Sequence, residues 1–229
     1  MRPTPRAAIV AAAIIAILGS PAPAVAQVPD VPILVIELWS ELDPLVADGS
    51  ERPVPREVAI ERLLDEAVFI LSGMIYGFRF DYAPSDPTRR VAEQFELEPY
   101  AEIVRGDPRL EVFQTWVEDS RLYARIFYTL DEQQRSWYLG WTSAANPSAS
   151  GTGTAPFIAG PVAKPLAARD AIRVAIRNHA RGIEFNRPRR VSGAVLVAGS
   201  PRTVVRDGNY ETRIAVLLQI DSITRYENY

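Results

Sequence analysis

The chain has 229 residues, 48% of them hydrophobic, with a net charge of −3 and no cysteine. That composition excludes disulfide staples and thiol catalysis, and the mildly acidic balance gives no overall pull towards nucleic acid. The length is enough for one sizeable core or two small ones.

Residues 1–26 carry the pattern of a secretory leader. Arg2 and Arg6 precede an apolar run from Ala7 to Leu18, and Ala24-Val25-Ala26 offers small residues where a signal peptidase cuts. The run is too short for a stable membrane anchor, and no later stretch approaches the about 20 apolar residues that a membrane helix needs. The working protein is therefore expected to begin near Gln27 and to act after export, in the periplasm or at the outer envelope. Without a cysteine to acylate, it is not expected to be a lipoprotein.

Val31 to Leu42 reads as a short strand, although Glu37, Trp39 and Glu41 blur its period. Asp43 to Pro55 reads as loop. From Pro55 to Ile75, apolar residues recur at helical spacing, with Pro55 in a first-turn position where its missing N–H costs little. Phe78 to Tyr82 alternates as a strand does. Thr88 to Glu102 is charged and weakly helical in pattern. Arg109–Val117 and Arg121–Leu130 read as an antiparallel hairpin, and Asp131 to Trp141 as a short helix.

Residues 142–164 are rich in Gly, Ser and Pro and read as a connector, with Phe157 and Ile158 inviting part of it to dock on the body. Pro165 to Ile183 is a second helix and Val191 to Val197 a strand. Asp207-Gly208 between alternating runs is a hairpin signal. The halves 27–141 and 165–229 thus share one plan, helix, strand, hairpin, with Arg125-Ile126 and Arg213-Ile214 in like places. A degenerate repeat is one account of this; convergence on a common plan is the other. Either gives an α+β fold with antiparallel sheets and helices packed on one face.

Two surfaces stand out. Arg169, Arg173, Arg177 and Arg181 are spaced one turn apart on the second helix, and Arg187, Arg189 and Arg190 follow. Guanidinium rows suit phosphate or carboxylate, so an anionic envelope lipid or polymer is a candidate partner; a solvated face paired to the chain's own acids is the plainer reading. Arg121, Tyr123, Arg125 and Phe127 share the outer face of a strand, an aromatic and arginine mixture typical of contact sites with a protein.

Catalytic signals are sparse. His179 is the only histidine and falls mid-helix, so no multi-histidine metal site can be assembled and no Ser/His/Asp triad can be argued from it. Lys164 is the only lysine. Neither a metal nor a cofactor is expected. Asp81, Asp86, Glu93, Glu96 and Glu98 leave a carboxylate-dependent glycan hydrolase open, and a small-ligand carrier would need an apolar pocket between helices and sheet. The residues favour a non-catalytic binding module of the envelope.

Overall fold

A computed structural model describes residues 33–44, 53–143, 145–184 and 188–226. The leader 1–26, most of the loop before the first helix and Arg187 lie outside the described residues. The fold is α+β, mostly antiparallel sheet.

The chain builds the same unit twice. In the first, β1 (Ile33–Glu41) leads to α1 (Arg56–Ile75), β2 (Phe78–Ala83), then the hairpin β4 (Leu110–Glu118) and β5 (Arg121–Thr129). In the second, β6 (Ser148–Pro156) leads to α3 (Ala163–Ile183), β7 (Arg190–Val197), then the hairpin β8 (Arg202–Arg206) and β9 (Asn209–Thr224). Both hairpins close on two residues of positive φ, Asp119 and Ser120 in one, Asp207 and Gly208 in the other, the turn whose twist matches that of the strands. In both units the leading nine-residue strand pairs in full with the strand after that turn. Glu41 faces Arg121 and Ile33 faces Thr129, while Pro156 faces Asn209 and Ser148 faces Leu217.

The units then diverge. β9 runs on to Thr224 and pairs with β7, whereas β5 stops at Thr129. There Asp131 caps α2 (Glu132–Ser143) reciprocally: Gln134 N donates to Asp131 Oδ1 at 2.8 Å and Asp131 N to Gln134 Oε1 at 3.0 Å. With no strand of its own unit beside it, β2 pairs with β7, and β3 (Gln94–Pro99) adds to its other side. One sheet is therefore β1-β5-β4 and the other β3-β2-β7-β9-β6, with β8 on β9. The second sheet takes strands from both halves of the sequence, so the boundary drawn between 27–141 and 165–229 does not divide it.

α1 lies on the first unit and α3 on the second. Leu34, Ile36 and Leu38 of β1, Leu122, Ala124 and Ile126 of β5, and Ile70, Leu71 and Ile75 of α1 share one core with Ile172, Ile176 and Val216. Burying a large aliphatic side chain stabilises by about 1.5–3 kcal/mol, so this continuous core is what holds the two units together.

Two readings of the sequence are corrected here. Thr88 to Glu102 is not helical: a short 3-10 turn (Pro87–Arg89) precedes strand β3. Leu97 of β3 turns inward to the core while Glu96 and Glu98 stay exposed, and pairing with β2 outweighs weak helix propensity. The connector 142–164 is also no linker, since it holds β6 and a 3-10 segment, Phe157–Val162. Its small residues serve close approach. A Cβ at Gly151 would stand 2.1 Å from the Ala171 carbonyl oxygen, and one at Gly153 2.1 Å from the Ala171 nitrogen. The alanines of α3 seat on this glycine face of the strand. Phe157 docks as its bulk invites, its ring 4.7 Å from that of Tyr210, while Ile158 is 83% exposed.

Candidate functional site

The outer face of β1-β5-β4, turned away from α1, is built by period-2 alternation. β1 gives it Glu37, Trp39 and Glu41; β5 gives Arg121, Tyr123, Arg125 and Phe127; β4 gives Trp116 and, through a bulge between Val112 and Gln114, Phe113. The rings form two stacked pairs. Trp116 lies on Tyr123 at 5.2 Å and Phe113 on Phe127 at 4.6 Å, both within 9° of parallel. Arg121 sits 4.4 Å over the Trp39 ring, Arg125 5.9 Å over Trp116, and Arg125 also pairs with Glu37 at 3.1 Å. All four sequence-predicted residues of this face come together. Sequence reasoning missed Trp39, Trp116 and Phe113; the i, i+2 spacing of Glu37, Trp39 and Glu41, read as a blurred period, was the signal for Trp39.

The second unit supplies an internal comparison. At the matching positions its outer face carries Ser150, Thr152 and Thr154 on β6, Glu211, Arg213 and Ala215 on β9, and Arg202 and Val204 on β8, so Val204 and Ala215 stand where the first unit has Trp116 and Phe127. The same architecture is thus built without aromatic rings on that face. In the first unit Trp39 and Tyr123 join a buried cluster with Ala163, Ala167 and Tyr210, whereas Phe113, 64% exposed, is not a demand of the fold.

The edges differ as well. β8 faces β1: Trp39 Nε1 donates to the Thr203 carbonyl at 3.2 Å, and the Ser200 hydroxyl lies 3.3 Å from the Glu37 nitrogen. The outer edge of β6 is covered from α3, where Asp170 accepts from Thr154 N at 3.0 Å and Asn178 donates to Ser150 O at 3.5 Å. β3 carries Glu96 and Glu98, and Arg169 reaches its Leu97 carbonyl. Among the described residues, β4 has no such cover. Its uncharged run from Val112 to Val117 exposes Phe113 by 64% on one face and Val117 by 56% on the other, and among the described residues one side chain, Arg56, bonds across to it, at Thr115 Oγ1. Proteins usually blunt such an edge with charge, proline, a bulge or cover; β4 has its bulge at Val112–Gln114, and its regular stretch from Gln114 to Val117 stays uncharged.

The arginine row of α3 resolves differently from its spacing. Arg173 is largely buried, 2.6 Å from Glu93 and 2.8 Å from Asp170, and Arg190 grips Asp81 at 2.6 and 2.7 Å. Arg169 turns towards a cavity, Arg177 and Arg181 line a smaller one beside Tyr82, and Arg189 is exposed. These residues do not form one open basic surface. Burial, helped by its hydrogen bond to Glu93, pushes the Tyr82 hydroxyl well above the usual tyrosine range.

The cavity beside Arg169 measures about 490 Å³ and lies between α1, the start of α3 and β1. Lys164 and Glu66 form a nearly buried ion pair in its wall at 2.7 Å, with Lys164 also donating to the Trp39 carbonyl. Glu41 accepts from the Tyr210 hydroxyl at 2.7 Å, and burial together with that bond raises the hydroxyl's pKa. Glu41 and Glu66 come from distant parts of the chain to one cavity, and each is already engaged by its own donor. His179 is not among the cavity's lining residues.

Among the described residues, no helix is long and apolar enough to cross a membrane. A family model of a domain of unknown function matches residues 22–226, and the chain belongs to that family. It is similar to an uncharacterized protein of Treponema pallidum (strain Nichols), 25% identical over 195 residues, which cover 85% of this chain and 82% of the relative. No solved structure matches.

Proposed function

For a member of this family, we propose a role as an exported, non-catalytic binding module of the cell envelope, whose contact site is the outer face of β1-β5-β4 together with the open edge of β4. The partner is a protein that offers an extended segment. One observation carries this reading: two units of one architecture differ in that face, which bears two stacked aromatic pairs in one and no aromatic ring in the other. A strand added at β4 gains main-chain hydrogen bonds for affinity, and its side chains gain the aromatic rows for specificity.

Export rests on the leader pattern of residues 1–26, and the family match begins at residue 22, close to the expected cut. Mass analysis of the protein from the envelope fraction is expected to give a chain starting near Gln27; a cytoplasmic protein retaining its first 26 residues contradicts export.

Binding is tested at β4. The closing pair Glu118 and Arg121 fixes the ladder phase, so Thr115 and Val117 turn their N–H and C=O groups away from β5. Proline is tolerated where an edge N–H faces solvent. Thr115→Pro is therefore expected to fold, with only a small drop in melting temperature from the lost exposed bond to Arg56, and to lose the protein adduct formed by chemical cross-linking in the native envelope. An adduct that survives the substitution would sink the edge reading.

A further inference from the structure

The cavity between α1 and the start of α3 adjoins the β1 margin of the sheet face, sharing Trp39 and Glu41 with it, but takes in no residue of β4 or β5. Its floor is apolar, with Phe69, Phe157, Pro161, Val162 and Pro165 among its lining, and its volume of about 490 Å³ falls in the range of small-ligand pockets, about 300–1,000 Å³. The polar groups around it are mostly spoken for. Lys164 is held by Glu66 and the Trp39 carbonyl, Glu41 by Tyr210, and Asp65 by Arg105 at 3.2 Å.

Arg62, also in the lining, is engaged as well. Arg169 is the least spent: among the described residues its one hydrogen bond is to the Leu97 carbonyl at 3.4 Å, the long limit of a hydrogen bond, and a guanidinium has five N–H donors. The acid beside it in sequence, Asp170, is spent on Arg173 and on Thr154 N. The next arginine of the row has two carboxylates, whereas this one has a carbonyl and faces the cavity.

We propose that this cavity binds a small organic acid with an apolar body: the carboxylate takes two parallel hydrogen bonds from Arg169, and the body lies on Phe69, Phe157 and the prolines. Paired N–H donors in one plane match a carboxylate, and the already neutralised Lys164–Glu66 pair adds no charge preference of its own.

The test is calorimetric titration of the purified chain with sodium octanoate, sodium acetate and octylammonium chloride. Octanoate is expected to bind, acetate and octylammonium not. Arg169→Met is expected to weaken octanoate at least about tenfold, the loss of a charge-assisted hydrogen bond. Arg181→Met, on the exposed last turn, leaves it unchanged. Phe157→Ala weakens octanoate through the apolar body and keeps the fold, judged by circular dichroism. No octanoate binding at millimolar concentration, equal binding of octylammonium, or an Arg169→Met protein that folds and binds as before would each overturn the proposal. The Thr115→Pro protein keeps octanoate binding, so failure here and failure of the sheet-face reading are told apart.

Discussion

At the scale of single residues, the least expendable polar contacts are those that join elements. Lys164 and Glu66 tie the start of α3 to α1, nearly out of solvent. Removing one member leaves the other charge buried alone, so Lys164→Met is expected to cost about 3–5 kcal/mol in urea unfolding, and the double change Lys164→Met with Glu66→Leu much less. A second junction holds α2 to the first hairpin. Arg109 grips Asp107 at 2.7 Å, the Tyr128 hydroxyl donates to Asp107 at 3.0 Å, and Gln134 reaches both Tyr128 and Tyr76. The Arg109 guanidinium, opposed by burial and helped by Tyr128, holds the Asp107 carboxyl down at about 2. A depressed folded-state value means stability that is present above the ordinary carboxylate range and lost as pH falls towards 2. The wild type is expected to lose this increment between about pH 4 and pH 2, and Asp107→Asn to lack it at neutral pH and show a flatter acid limb in the same melting series. Neither junction was legible from sequence. Lys164 stood in a stretch that read as connector, with Glu66 far away in the chain, and the reach of Gln134 to Tyr76 likewise joins distant elements.

At the scale of elements, legibility followed local pattern. α1, β5 and the Asp207-Gly208 hairpin carry their own period or turn chemistry, and they appear where the sequence puts them. β6 does not, because what makes Ser148–Pro156 a strand is the helix it receives. A glycine and serine run looks like a linker until α3 packs on it. Gly153→Ala puts a Cβ into α3 backbone and is expected to destabilise by about 1–3 kcal/mol, with a lowered melting temperature; Ser150→Ala, on the solvent face, is not. Deleting residues 144–153 should for the same reason lower the melting temperature steeply, and a small effect would mean that β6 contributes little. The candidate face was half legible. Tyr123, Phe127 and the two arginines of β5 follow from alternation, whereas the bulge that swings Phe113 onto Phe127 leaves no mark in the sequence.

At the scale of the whole molecule, two equal units share one core but not one surface. β1 on β5 and β6 on β9 pair in matched register and close on matched turns, a likeness of architecture that duplication and convergence on a common plan can each produce. The unit without rings on its outer face shows what the architecture requires, and the unit with Phe113 stacked on Phe127 and Trp116 on Tyr123 shows what it carries besides. The most direct test of the contact site uses that symmetry. A photo-crosslinking residue is placed at Phe113 on the first unit's face and at Thr152 on the second's, and each protein is irradiated in its native envelope. A discrete protein adduct from position 113 and none from position 152 is the predicted result. Adducts from 152 alone, or from neither position, would contradict a contact site on β1-β5-β4.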